Sequence, residues 1–231
     1  MLDYPTPRPL QTDEIARVVA DYAHAARTAK DAGFGGVELH GANGYLIDQF
    51  LKDGSNRRDD LYGGSIGGRT RFLLEVFDAV AAVWGAERVG VRISPMGNTN
   101  GVSDSNPLAL FTHVARELAA RGAGFLHVRE EVVPGAEGDR LMASIRDAYP
   151  GLLITNGGYT RERAESAVRS ARADAVAFGV PYIANPDLVE RFAANAPLAT
   201  GDRATFYGGG DSGYVDYPRW SPEEQRTASA A

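Results

Sequence analysis

GGVELHGANGYLIDQFL, residues 35–51, holds the transition on which the fold turns. Val37 to His40 carry the pattern of a buried strand, and the chain then runs into Gly-Ala-Asn-Gly-Tyr before an apolar segment. Three hydrogen-bonding side chains, His40, Asn43 and Tyr45, thus sit on a glycine-flexed turn at a strand end. In parallel α/β folds, the C-terminal ends of strands are where working residues collect.

Working outward, helices and strands alternate. Ile15, Val18, Val19, Tyr22, Ala26 and Ala29 keep helical spacing after a cap at Thr12, and Gly33 stops the helix before the strand Gly36–Leu39. After the polar connection KDGSNRRDDLYGGS, the pattern predicts a helix over 69–83 and a strand over 89–93. Asn106-Pro107 is a helix start, with proline in the first helical position, and Gly122 marks that helix's end. Strand 125–128, a helix near 140–148, strand 152–155, a helix from Thr160, strand 175–178 and a helix from Asn185-Pro186 through Phe192 complete the series. The last four strands begin about 25–35 residues apart, the size of one βα unit. The expectation is a single α/β domain over 1–231, built of five parallel βα units, with an irregular tail from about residue 197. Five units fit either part of a (β/α)8 barrel or a doubly wound sheet.

Composition sets bounds on function. The 231 residues are 44% apolar and 23% charged, with a net charge of −6 and both signs mixed along the chain, so no nucleic-acid partner is expected. Cysteine is absent, which excludes disulfides and thiolate chemistry, and the four histidines lack ligand spacing, so no metal site is expected. MLDYPTPRPL has no leader pattern and no apolar run reaches transmembrane length, which makes a cytoplasmic location the expectation.

His40 and Asn43 are two neutral donors able to converge on one oxygen, stabilising charge that develops there when a conjugated carbon is attacked. Tyr45 carries a phenol, protonated at neutral pH and suited to giving a proton. Taken singly, each has a plainer reading: a structural strand-end histidine, a turn asparagine, a core tyrosine. Arg92 ends the second strand and reads either as an ion-pair partner or as a site cation. Gly157 and Gly158 before Thr160, and Gly179 before the last helical region, offer backbone N–H groups where barrel enzymes hold phosphate. The run from Gly208 to Gly213 matches G-x-G-x-x-G by spacing but lacks the strand and helix that motif needs. A phosphate-binding barrel lyase or isomerase is disfavoured, because no lysine stands at the strand ends as an evident base.

VELHGANGYLIDQFLKDGSNRRDDLYGGS, VGVRISP, ITNGGYT, FGVPYIANPDLV and FYGGGDSGYVDYP, in that order, resemble the old yellow enzyme family, and within it the bacterial N-ethylmaleimide and nitrate-ester reductase branch. The resemblance runs from Asp3 to about Pro218. It implies a partial (β/α)8 barrel, with the five units corresponding to strands four to eight. It further implies FMN as cofactor, NAD(P)H as reductant and a small activated alkene as substrate. On that resemblance, His40 and Asn43 hold the substrate's activating oxygen, Tyr45 donates the proton and Tyr207 lines the substrate pocket. Arg92 lies by the flavin's pyrimidine edge, and Gly157, Gly158, Gly179 and Val180 occupy the phosphate positions. Val180 departs from the arginine usual there, and the family's first three βα units have no counterpart in this sequence. The alternative reading is therefore an inactive barrel fragment or an assembly partner, completed by a second chain or by a further copy of itself.

Overall fold

The computed structural model describes residues 7–131, 136–208 and 210–221. The chain divides into two compact units, Met1–Gly158 with Ala164–Val176, and Tyr159–Arg163 with Ala177–Ala231.

The first unit carries the sheet. α1 (Thr12–Asp31) starts from Gln11 rather than Thr12, because Glu14 folds back to accept the Gln11 N–H, whereas the Thr12 hydroxyl is taken up by Asp60. β1 (Val37–Gly41) leads through the turn into the short α2 (Leu46–Leu51). α3 (Ile66–Trp84), β2 (Val89–Ile93), α4 (Pro107–Ala120), β3 (Phe125–Arg129), α5 (Ala136–Ala148) and β4 (Leu152–Asn156) follow. α6 (Arg161–Arg169), which enters this unit at Ala164, precedes the two-residue β5 (Ala175–Val176). As expected, α4 is capped by Asn106, whose side-chain oxygen accepts the Ala109 N–H at 3.1 Å.

All strand pairs are parallel, and the spatial order β1-β2-β3-β4-β5 is the order of the sequence. This decides between the two architectures. A doubly wound sheet reverses its strand order at a switch point, which puts helices on both faces. Right-handed crossovers that always step the same way keep every helix on one face, as in a barrel wall. Burial follows suit. Val89, Val91, Ile93, Leu126, Val128 and Leu153 face the helices and are buried against Phe72, Phe77, Phe111, Leu118 and Ile145. The alternate residues Glu38, His40, Arg92, His127, Arg129 and Asn156 occupy the other face and stay partly or fully exposed. Phe125, Leu152 and Ile154 share that face, so it is polar in the main but not throughout. Among the described residues, no helix is long and apolar enough to cross a membrane.

The second unit departs from expectation. Instead of one helix opening at Asn185-Pro186, two short helices, α7 (Val180–Ala184) and α8 (Leu188–Ala194), flank that dipeptide. Asn185 is fully buried and uses its side chain to bridge Pro181 O and Ala199 rather than to cap. The strand expected to reach Phe178 ends at Val176, and the Phe178 ring packs on Phe192 with centroids 5.2 Å apart. Of the glycine run, Gly209 lies outside the described residues. Turns stand at 203–205 and 210–215, with no helix following among the described residues.

Candidate active site

The turn after β1 is made by two successive left-handed residues, Asn43 (φ 57°) and Gly44 (φ 73°). Asparagine tolerates that region and glycine prefers it, so the strand can reverse sharply into α2. A side chain at Gly44 would also run into Thr99 O, at 2.3 Å from an added Cβ. The Asn43 N–H donates to Ser94 Oγ at 2.8 Å, and the Gly44 N–H donates to Asp48 Oδ2 at 2.9 Å. Asn100 Nδ2 donates to the Asn43 carbonyl at 3.2 Å. The Asn43 side-chain oxygen is itself buried and without a partner among the described residues.

His40 and Arg92 are register partners on β1 and β2, and His127 follows in the same row on β3. Burial pushes the His40 imidazole below the usual histidine range, and the Arg92 cation lowers it further, against smaller opposing pulls from Glu38 and Asp48. His40 is therefore neutral at physiological pH, with one ring N–H to donate. The Tyr45 ring stands beside it, 5.1 Å between centroids and tilted by 49°, and the tyrosine is 58% exposed. Arg92 is half-buried, its guanidinium disfavoured by burial, and its Nε is buried without a partner among the described residues. Glu38 and His127 pair across the same face at 2.8 Å, leaving His127 Nε2 unpartnered among the described residues.

At the β4 end, Gly157 (φ 125°) and Gly158 (φ 61°) follow Asn156. Gly157 is required by a close approach, since an added Cβ would lie 2.1 Å from Glu130 O. The first unit thus holds His40, Asn43, Tyr45, Arg92, Gly157 and Gly158. In the second unit, Gly179 precedes α7, Val180 is its first residue and 52% exposed, and Tyr207 is 95% exposed.

Sequence reasoning missed the polar group behind the turn. Asp48, Lys52 and Ser94 are all fully buried, and Lys52 Nζ reaches Asp48 Oδ2 at 3.2 Å, Ser94 O at 2.9 Å and Gly97 O at 2.7 Å. The signal was present: Asp and Lys four apart within LIDQFLK, a helical ion-pair spacing inside an apolar segment.

Comparison with known proteins places this geometry in context. The NADH:flavin oxidoreductase / NADH oxidase family model matches residues 2–199. A probable flavin mononucleotide-dependent alkene reductase of Leishmania infantum is 52% identical over 216 residues, 93% of this chain and 59% of that protein. Putative 12-oxophytodienoate reductase 12 of Oryza sativa subsp. japonica is 47% identical over 229 residues, 94% of this chain and 56% of that one. The solved structure of morphinone reductase in complex with tetrahydroNAD superposes with a TM-score of 0.90 at 49% identity, over 95% of this chain and 60% of that chain. The chain spans less than two thirds of the length of these relatives.

Proposed function

The chain belongs to the NADH:flavin oxidoreductase / NADH oxidase family, that of the old yellow enzymes, and from that premise we propose that it acts in the FMN-dependent reduction of activated alkenes. The observation that carries the reading is the turn itself: a neutral His40, an Asn43 side chain with an unpartnered oxygen, and the Tyr45 ring 5.1 Å from that of His40.

The residues present fit FMN. The buried, unpartnered Nε of Arg92 lacks an acceptor of the kind a flavin ring edge provides, and the left-handed Gly157-Gly158 pair leaves backbone N–H groups for a phosphate. Bound FMN, reduced by NAD(P)H, supplies the hydride. His40 and Asn43 donate hydrogen bonds to the substrate's carbonyl or nitro oxygen, where negative charge builds as its β-carbon is reduced. One such donor is commonly worth about 10²–10³ in rate. A histidine held neutral keeps one ring N–H for this task. Tyr45 gives its phenolic proton to the carbon next to the activating group, and its exposure leaves it reachable by solvent for reprotonation. From the resemblance alone, Gly179 and Val180 take the remaining phosphate positions and Tyr207 the substrate-pocket wall. A chain without cysteine accords with a reducing cytoplasm.

Turnover of N-ethylmaleimide or cyclohexenone by FMN-loaded wild type and Tyr45→Phe tests this. The phenylalanine variant is expected to lose about 10²–10⁴ in kcat. Equal kcat for the two proteins would remove Tyr45 from the chemistry.

A further inference from the structure

Asp48 and Lys52 lie one helical turn apart at the C-terminal side of the turn, and both are wholly buried. A buried pair of this kind rarely adds net stability, because desolvation offsets the attraction. Its hydrogen bonds point to another role. A single oxygen, Asp48 Oδ2, accepts from the Gly44 N–H at 2.9 Å, Lys52 Nζ at 3.2 Å and Ser94 Oγ at 3.3 Å. Ser94 Oγ in turn accepts the Asn43 N–H at 2.8 Å. One carboxylate oxygen thereby governs two consecutive amides, directly at Gly44 and through a hydroxyl at Asn43. Those are the two residues held at φ 57° and 73°. Lys52 also spans to Ser94 O and Gly97 O, fixing the loop after β2 to the same point.

We propose that Asp48 is a positioning residue: through Gly44 and Ser94 it sets the peptide planes from which the Asn43 side chain is aimed, with Lys52 as its counter-charge. The catalytic consequence rests on the ene-reductase reading, whereas the geometry does not, and two readouts separate them. The first is amide hydrogen exchange in the flavin-free chain. Ser94→Ala is expected to speed exchange at Asn43 by about five-fold or more, and Asp48→Ala to do so at both Asn43 and Gly44, while β3 amides stay unchanged. Unchanged exchange at both amides would overturn the proposal. Should Asp48→Ala not fold, Ser94→Ala carries the test alone, since it deletes one hydroxyl and leaves the ion pair intact.

The second readout is turnover of N-ethylmaleimide by the FMN-loaded protein. Ser94→Ala is expected to lower kcat about 10–100-fold with KM and bound flavin near wild type. The doubly neutral Asp48→Asn/Lys52→Met keeps an acceptor for Gly44 without a stranded charge, and is expected to recover most of the kcat that Asp48→Ala loses. A kcat that merely follows the folded fraction in every variant would reduce Asp48 to a stabilising group and overturn the proposal. Accelerated exchange as expected, but in a wild type that turns nothing over, supports the positioning and sinks the ene-reductase reading instead.

Discussion

Alanine at Gly157 is the sharpest structural perturbation available at the β4 rim. Two penalties act together. A φ of 125° lies in a region essentially reserved for glycine, and an L-residue held there costs about 1–3 kcal/mol. The added Cβ would lie 2.1 Å from Glu130 O, a backbone atom that cannot swing aside. Restoring an ordinary contact requires the two strand ends to part by about 1 Å, an overpacking penalty of about 1–3 kcal/mol. The movement also strains the Glu130 N–H to Asn156 O bond, now 2.8 Å. The total is about 2–6 kcal/mol of lost stability. Gly179→Ala is the internal control: its φ is −107° and nothing lies within 4 Å of its added Cβ, so its effect should stay within about 0.5 kcal/mol. Urea unfolding followed by circular dichroism measures both. A Gly157→Ala protein within about 1 kcal/mol of wild type would refute the reasoning from close approach.

Other expectations follow from single groups. The His40 imidazole, followed by NMR, should titrate below 6.5, its ordinary value. Since the unfolded chain then binds the proton first, its contribution to stability is full above pH 6.5 and is lost as pH falls from there through the lowered folded value. Arg92→Met should raise the midpoint without restoring it to 6.5, because burial is the larger cause; a wild-type midpoint at or above 6.5 would contradict the neutral donor. Asn106→Ala removes the cap on the Ala109 N–H and should cost about 1 kcal/mol in urea unfolding; no loss would mean that water replaces the cap.

What was legible in the sequence follows the range of the forces involved. Strand Val89–Ile93 and the Asn106-Pro107 helix start were read correctly because strand patterning and capping chemistry are local. His40 and Arg92 were placed together because both end strands of one parallel sheet, a relation that the βα alternation already carries. The helix α2 escaped because six residues are too few for a 3.6-residue period to declare itself. The break between α7 and α8 escaped because Asn185 has two uses, capping and bridging, and only its burial beside Ala199 selects the second. Of the Asp48–Lys52–Ser94 group, only the Asp48–Lys52 spacing showed in the sequence; Ser94 joins it from just past β2, more than forty residues away. The polar residues of the inner face, such as Arg92 and His127, were hidden inside strands rich in apolar residues.

The measurement that bears most directly on the central claim is the visible absorption spectrum of the purified chain after incubation with FMN and gel filtration. A flavin band should co-elute with the protein near equimolar ratio and weaken in Arg92→Met. A folded chain that elutes with no flavin would contradict that claim.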